Sequence, residues 1–150
     1  AAGCQLVASC DLAIAAEGAQ FATPGVHIGL FCSTPMVALS RNVAAKHAME
    51  MLLTGDPCKA PRAAEIGLLN EAVPADELTG RVMAVAAKIA AKSTATVAYG
   101  KPAFYQQAEM TLADAYQHAA AVMVENMLAR DAEEGIAAFI EKRAPVWSDS

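Results

Sequence analysis

The side chains best suited to proton exchange or nucleophilic attack are concentrated between residues 23 and 35. This segment contains the imidazole of His27, the thiol of Cys32 and the hydroxyls of Ser33 and Thr34, but no carboxylate. Imidazole exchanges protons near neutral pH, whereas a thiol attacks as its thiolate. Each residue also has a structural interpretation, because a loop histidine often only forms a hydrogen bond and a cysteine beside an aromatic residue is often buried and inert. The sequence leaves both interpretations open.

A second candidate region is the small-residue turn Ala1-Ala2-Gly3 and the amide of Gln5 that follows it. If a helix begins there, its first N–H groups point outward and its dipole favours negative charge at that end. A small-residue turn is equally typical of close packing between a helix and a strand. Gln5 can hydrogen-bond a water or a carbonyl oxygen, but a primary amide cannot act as a base.

The elements that position these residues are short in the first half of the chain. We predict a helix over Gly3–Ser9, a buried strand over Asp11–Ala15 and a short strand over Gln20–Ala22. The two prolines and two glycines of Thr23–Pro35 predict an irregular loop, where functional sites are often built.

The rest of the chain is predominantly helical. The spacing of apolar residues and the Pro and Gly positions predict the following elements: helices over 33–43, 44–53 and 60–66, an extended piece over 69–73, a helix over 76–91, two helices between 94 and 130 separated near 109–111, and a last helix over 131–143. We expect Met110, Met123 and Met127 to fill a core or a subunit contact, since methionine suits irregular gaps.

Composition excludes several classes of protein. The 150 residues are 55% hydrophobic and carry a net charge of −5, with no basic block, which disfavours a nucleic-acid partner. No apolar run reaches the ~18 residues of a membrane span, so we predict no membrane segment. The four cysteines lack metal-ligand spacing, so we predict neither a zinc site nor another metal site.

Several runs of residues resemble the enoyl-CoA hydratase/isomerase family, also called the crotonase family. The resemblance is carried by Ala1-Ala2-Gly3-Cys4-Gln5-Leu6-Val7-Ala8-Ser9-Cys10-Asp11, Ala19-Gln20-Phe21-Ala22-Thr23-Pro24-Gly25, Ala48-Met49-Glu50-Met51-Leu52-Leu53-Thr54-Gly55, Ala63-Ala64-Glu65-Ile66-Gly67-Leu68, Val73-Pro74 and Gly135-Ile136-Ala137-Ala138-Phe139-Ile140-Glu141-Lys142-Arg143. Their order and spacing cover essentially the whole chain. Because the first run already lies inside a family motif, we expect the chain to correspond to roughly the C-terminal half of a family member.

The resemblance implies an α/β fold with a crotonase-type ββα core followed by a C-terminal helical region. We therefore expect residues 1–75 to form the C-terminal part of the core and residues 76–150 to form a helical region for trimerisation and for covering the substrate. The implied ligand is an acyl-CoA thioester, with no further cofactor. A homotrimer or a dimer of trimers is the implied assembly, in the cytoplasm of a bacterium or the mitochondrial matrix of a eukaryote.

By the same resemblance, the N–H of Ala2 is one donor of an oxyanion hole, and the second donor lies in the part of the family sequence that this chain lacks. Gln5 and Gly25 stand where the family has its two catalytic glutamates. Gly25 is expected to leave space for a larger acyl group or for another residue.

Further substrate contacts are expected at Phe31 and Phe139 and, through the CoA phosphates, at Lys142. These residues predict a protein that binds acyl-CoA and stabilises an enolate-like oxyanion, with hydratase activity in doubt. Two alternatives stay open: a different acyl-CoA reaction (isomerisation, decarboxylation or thioester hydrolysis) that uses His27, Cys32 or a residue outside the chain, and a non-catalytic acyl-CoA-binding or scaffold protein.

Overall fold

A computed structural model describes residues 1–149, which form two compact units. The first unit is Ala1–Met83 and the second begins at Ala84. The first combines helices with two small sheets, and the second is helical. Among the described residues, no helix is long and apolar enough to cross a membrane.

The first unit contains two small sheets and packs the helix Ala60–Glu65 against them. Its helices are α1 (Ala2–Ser9), α2 (Ser33–Asn42), α3 (Ala45–Thr54) and α4 (Ala60–Glu65), with a 3₁₀ helix over Pro24–Ile28. Its strands are β1 (Ile14–Ala16), β2 (Gln20–Phe21), β3 (Cys58–Lys59) and β4 (Glu71–Val73). β1 pairs with β4 in parallel, with Ala15 opposite Ala72, and β2 pairs with β3 antiparallel, with Phe21 opposite Cys58.

The core of this unit is built from small and aliphatic side chains. Leu39 of α2 and Leu52 of α3 are each 1% exposed, and Ala60 and Ala63 of α4 are fully buried. Small residues let the helices approach closely, and the leucines remove most apolar surface from water. Asn42 joins two helix ends, since its Nδ2 donates to the carbonyl of Ala8 at 2.7 Å.

The second unit contains three complete helices: α6 (Thr94–Gln107), α7 (Leu112–Met127) and α8 (Arg130–Glu141). The unit boundary falls within the preceding helix, α5 (Leu78–Ala90). A hydroxyl caps the start of α6, where Ser93 accepts from the N–H of Thr96 at 3.1 Å. Thr111 caps α7 in the same way by accepting from Asp114. Such caps satisfy N–H groups that have no acceptor within the helix.

Two acidic residues of α8 hold the segment that follows it. Asp131, only 2% exposed, accepts from the N–H and hydroxyl of Ser148, both at 2.8 Å. The hydroxyl of Ser93 and these bonds lower the pKa of the Asp131 carboxyl. Glu134 forms a bidentate pair with Arg143 at 2.6 and 2.8 Å and accepts from the N–H of Val146. Hydrogen bonding to Arg143, followed by that to Val146, lowers the pKa of Glu134 to about 2.

We predict that the second unit loses stability as the pH falls from about 4.5 towards about 2. The folded state lowers the pKa of Glu134, so its stabilisation is present above the unfolded value and disappears as the carboxylate is protonated. Thermal unfolding measured across this pH range should show a weaker pH dependence for Glu134→Gln than for wild type. The exposed neighbour Glu133, as Glu133→Gln, is the matched control. An unchanged pH dependence in Glu134→Gln would contradict the prediction.

Most predicted elements are confirmed, with differences at their ends. β1 begins at Ile14 rather than Asp11. The N–H of Ala13 donates to the side chain of Asn70, and Asn70 N–H donates to the Ala13 carbonyl, so strand pairing with β4 begins only after these residues. The loop over 23–35 is more regular than predicted, since it contains a 3₁₀ helix and the start of α2. β3 was not predicted, because two residues carry no periodic pattern.

The core interpretation of the methionines is wrong for the described chain. Met110, Met123 and Met127 are 41%, 60% and 59% exposed. Met123 and Met127 lie on the surface of α7, and Met110 lies in the turn before it. Helix periodicity identifies an apolar face but does not show whether that face is buried in a core. A subunit contact at these residues stays a prediction, as does the division of function at residues 75 and 76.

Candidate functional site

A cleft of about 670 Å³ lies where the start of α1, the 3₁₀ helix and the start of α2 meet. All of its lining residues belong to the first unit. The structure brings six of the predicted site residues together here: Ala2, Gln5, Gly25, His27, Phe31 and Cys32. Its other walls are largely apolar, with Pro24, Ile28, Leu30 and Pro35.

The N-terminal turn of α1 forms one side of this cleft. The first N–H groups of a helix have no acceptor within it, and Ala1 supplies no side-chain cap. Ala2 has none of the positive φ that would require glycine, so alanine keeps the N–H donor without backbone strain. Ala2, the predicted donor residue of the oxyanion hole, therefore lines the cleft, and its role stays a prediction.

Gln5 lies one turn further along α1 and is partly buried at the cleft. Its N–H is the first in the helix to find an intrahelical acceptor, the carbonyl of Ala1 at 2.9 Å. Within residues 1–149, its side-chain amide forms no intramolecular hydrogen bond. The amide can donate to or accept from a bound molecule, but it cannot take up a proton at neutral pH.

Of the two expectations at Gly25, the structure fits occupation by other residues and not open space in the direction of a side chain. A Cβ at this position would lie 2.5 Å from the carbonyl oxygen of Leu30 and 2.8 Å from Sγ of Cys32. The chain closes on Gly25 through two hydrogen bonds: Leu30 N–H donates to its carbonyl at 2.9 Å, and its own N–H donates to Cys32 Sγ at 3.3 Å. Backbone thus occupies the volume that a side chain would need.

Cys32 matches the structural interpretation in its burial. It is 8% exposed and immediately precedes α2. Its sulfur accepts the Gly25 N–H and so supports the closed turn. Cys32 lines the cleft, but its thiol is packed within the cleft wall.

His27 is exposed at the cleft and fixed through one ring nitrogen. Its Nε2 lies 2.9 Å from the carbonyl oxygen of Thr54, which can only accept, so Nε2 must carry the hydrogen. The neutral ring therefore has its lone pair on Nδ1. Gly55 has φ of +68°, and a Cβ there would lie 3.0 Å from His27 Nε2, so the close approach also depends on this glycine.

Buried Thr23 anchors the start of the same turn. Its side chain is inaccessible to solvent, and its Oγ1 donates to the carbonyl of Met51 in α3 at 2.8 Å. Together with the bond between His27 and Thr54, this attaches the 3₁₀ helix to the C-terminal end of α3. The cleft wall is therefore held by hydrogen bonds on both sides of Pro24 and Gly25.

The remaining predicted contacts belong to the second unit. Phe139 of α8 is 84% exposed and borders a separate hollow of about 350 Å³ with Met123, Met127 and Ile136. Lys142 follows α8 in a left-handed conformation with φ of 55°, which is unfavourable for a residue with a Cβ. Their expected contacts with substrate stay predictions.

Two lining residues were not selected from the sequence. Ile28 and Leu30 are 76% and 62% exposed, and with Phe31 they form an apolar run in a turn. Apolar residues in a loop are a signal of a binding surface, and this signal was present in the sequence. The part of the chain that the structure describes contains no group of three or more histidine, cysteine or acidic residues arranged to hold a metal ion.

The motifs predicted an α/β core, and the structure adds a cleft with largely apolar walls at the start of α1. The sequence pattern described as enoyl-CoA hydratase/isomerase matches residues 1–150, and the chain belongs to that family. It is 53% identical over 148 residues to human enoyl-CoA hydratase domain-containing protein 3, mitochondrial, covering 99% of this chain and 49% of the relative. It is also 36% identical over 147 residues to probable enoyl-CoA hydratase echA8 of Mycobacterium leprae, covering 97% of this chain and 57% of that protein.

Solved structures confirm the crotonase-type α/β fold. An enoyl-CoA hydratase of Mycobacterium smegmatis superposes with a TM-score of 0.96 at 51% identity, covering 98% of this chain and 57% of that one. The human domain-containing protein 3 superposes with a TM-score of 0.94 at 53% identity, covering 98% and 58%. The chain thus spans about half the length of the relatives it matches.

Proposed function

We propose that the protein binds acyl-CoA thioesters in the cleft of the first unit and does not hydrate them efficiently. The observation that carries this proposal is the composition of the cleft. The start of α1 offers unpaired N–H groups, apolar side chains form a wall, and no carboxylate lines it. This suits a thioester carbonyl and its acyl chain better than it suits activation of water.

The chemistry supported by the helix start is stabilisation of negative charge on the thioester oxygen. A backbone donor aimed at such an oxyanion commonly contributes about 2.7 to 4 kcal/mol. In our proposal the N–H of Ala2 is one such donor. In the same proposal the second donor lies outside these 150 residues, as the family resemblance implies.

Efficient hydration needs groups that hold and deprotonate water. General acids and bases each contribute typically about 10²- to 10⁴-fold. The amide of Gln5 cannot replace a base, and the packing around Gly25 excludes a side chain there. The proposed function is therefore acyl-CoA binding with enolate stabilisation and weak or absent hydratase activity.

Titration calorimetry of the full-length protein with butyryl-CoA tests the binding proposal. We expect Leu30→Asp to weaken binding at least about tenfold, because burying a leucine side chain contributes about 1.5–3 kcal/mol and tenfold corresponds to 1.4 kcal/mol. Leu53→Asp is the matched control, since Leu53 is 61% exposed, Leu30 is 62% exposed, and only Leu30 lines the cleft.

Equal effects of the two variants would place the ligand elsewhere and contradict the proposed site. Absence of binding by the wild type would contradict the proposed function itself. Free CoA, titrated separately, measures how much of the affinity comes from the acyl part.

We also propose that Lys142 contacts the CoA phosphates, that Phe139 contacts the ligand and that the protein assembles as a homotrimer or a dimer of trimers. The exposed apolar residues of α7 and α8 support a further interface. Light scattering during size-exclusion chromatography of the full-length protein tests the assembly, and a monomer would contradict it. Several similar eukaryotic proteins are named as mitochondrial, which supports a matrix location if the source is eukaryotic. A bacterial source implies the cytoplasm.

A further inference from the structure

We infer that His27 is a proton-transfer group that acts on the α-carbon of the bound acyl-CoA thioester. This inference rests on the proposed function and adds a reaction to it. It assigns to an imidazole the exchange of protons that neither Gln5 nor Gly25 can perform.

The side chains that line the cleft leave few alternatives. Among them only His27 and Cys32 carry an imidazole or a thiol, and the cleft wall contains no carboxylate, lysine, arginine or tyrosine. Cys32 is 8% exposed and its sulfur accepts a backbone N–H as part of the closed turn. His27, in contrast, is exposed at the cleft.

The hydrogen bond to Thr54 selects the tautomer that a base requires. Because the Thr54 carbonyl accepts at 2.9 Å, Nε2 keeps its hydrogen and Nδ1 keeps the lone pair. A base held by a hydrogen bond on its far nitrogen is the usual arrangement for histidine in proton transfer. The close approach to Gly55 and the anchor at Thr23 keep the turn in place while the ring exchanges its proton.

The proposed step needs neither water nor an oxidant. Nδ1 of His27 removes a proton from the α-carbon, the electrons of that C–H bond form the carbon–carbon double bond of the enolate, and the thioester oxygen takes the negative charge. The N–H of Ala2 stabilises that oxygen. Return of the proton to the α-carbon restores the substrate, whereas delivery to the γ-carbon of a β,γ-unsaturated thioester yields the α,β-isomer.

Exchange of the α-hydrogen of a saturated acyl-CoA with solvent tests the proton removal separately from isomerisation. Full-length protein would be incubated with butyryl-CoA in D₂O, and deuterium at the α-carbon followed by mass spectrometry. We expect the wild type to incorporate deuterium and His27→Gln to do so at least about 100-fold more slowly. The glutamine amide can still donate to the Thr54 carbonyl, so butyryl-CoA affinity and thermal stability should be retained.

His47→Gln is the matched control, because it removes an imidazole of the same unit that lines a different hollow of about 180 Å³. Binding without exchange in the wild type, or equal exchange in His27→Gln, would overturn the inference and leave the binding proposal intact. Loss of exchange in Cys32→Ser together with normal exchange in His27→Gln would assign the proton to the thiol and also overturn it. Failure of the wild type to bind butyryl-CoA would overturn the proposed function and this inference together.

Discussion

Replacing Gly25 with alanine is expected to lower the free energy of unfolding of the first unit by about 1 to 3 kcal/mol. The added Cβ would lie 2.5 Å from the Leu30 carbonyl oxygen and 2.8 Å from Cys32 Sγ. The Leu30 oxygen belongs to the backbone of a hydrogen-bonded turn, so it cannot move aside as a flexible side chain would. Denaturant unfolding of the full-length protein measures the loss.

Gly18→Ala is the matched control, because a Cβ there meets nothing within 4 Å and its φ lies outside the left-handed region. We expect that variant to unfold at nearly the wild-type denaturant concentration. Gly25→Glu carries the same clash, so it should be destabilised and should not become a hydratase. Normal stability of Gly25→Ala would contradict the closed turn.

Replacing Gln5 with glutamate is expected to raise the rate of hydration of a short enoyl-CoA at least about 100-fold over wild type. The two side chains have nearly the same size, and Gln5 lines the cleft, so the change introduces a base without new crowding. The position near the N-terminus of α1 also favours a carboxylate. Loss of ultraviolet absorbance of the conjugated thioester measures the rate.

Gln20→Glu provides the control, since Gln20 is exposed on β2 and does not line the cleft. That variant should remain as inactive as wild type. If Gln5→Glu binds the enoyl-CoA normally and its hydration rate does not rise, the missing carboxylate at position 5 does not explain the low hydratase activity.

The sequence predicted the order of elements well where periodic patterns are long. The helices over 112–127 and 130–141 follow apolar spacing, the helix over 94–107 lies between clear breaks, and the ends of all three agree with prediction to within a few residues. The two-residue strand β3 was beyond prediction, because its pairing with β2 depends on tertiary contacts. The resemblance supplied the ββα core, which periodicity alone does not define.

The sequence predicted which residues belong to the candidate site, but it did not predict how they pack. Residue types singled out His27 and Cys32, the family resemblance singled out Gln5 and Gly25, and the cleft contains all four. The sequence could not show that the Leu30 carbonyl fills the space beside Gly25. Such a contact depends on how the turn closes, and glycine alone is compatible with either open space or close approach.

The hydrogen bond of His27 illustrates the same limit. A loop histidine has a catalytic and a structural interpretation, and the sequence did not decide between them. The structure shows a structural bond through Nε2 that leaves Nδ1 with its lone pair, so the two interpretations are compatible. The sequence could not show this tautomer, because the hydrogen-bond acceptor of His27 is the backbone carbonyl of Thr54, 27 residues away.

The proposed function is acyl-CoA binding without the two carboxylates that would hold and deprotonate water. It is tested most directly by mixing the full-length wild-type protein with a short enoyl-CoA and measuring binding and ultraviolet absorbance in the same sample. We predict saturable binding with no loss of the conjugated thioester above the uncatalysed rate. Rapid loss of the absorbance in the wild type would contradict the claim and show that a base other than the two missing glutamates activates water.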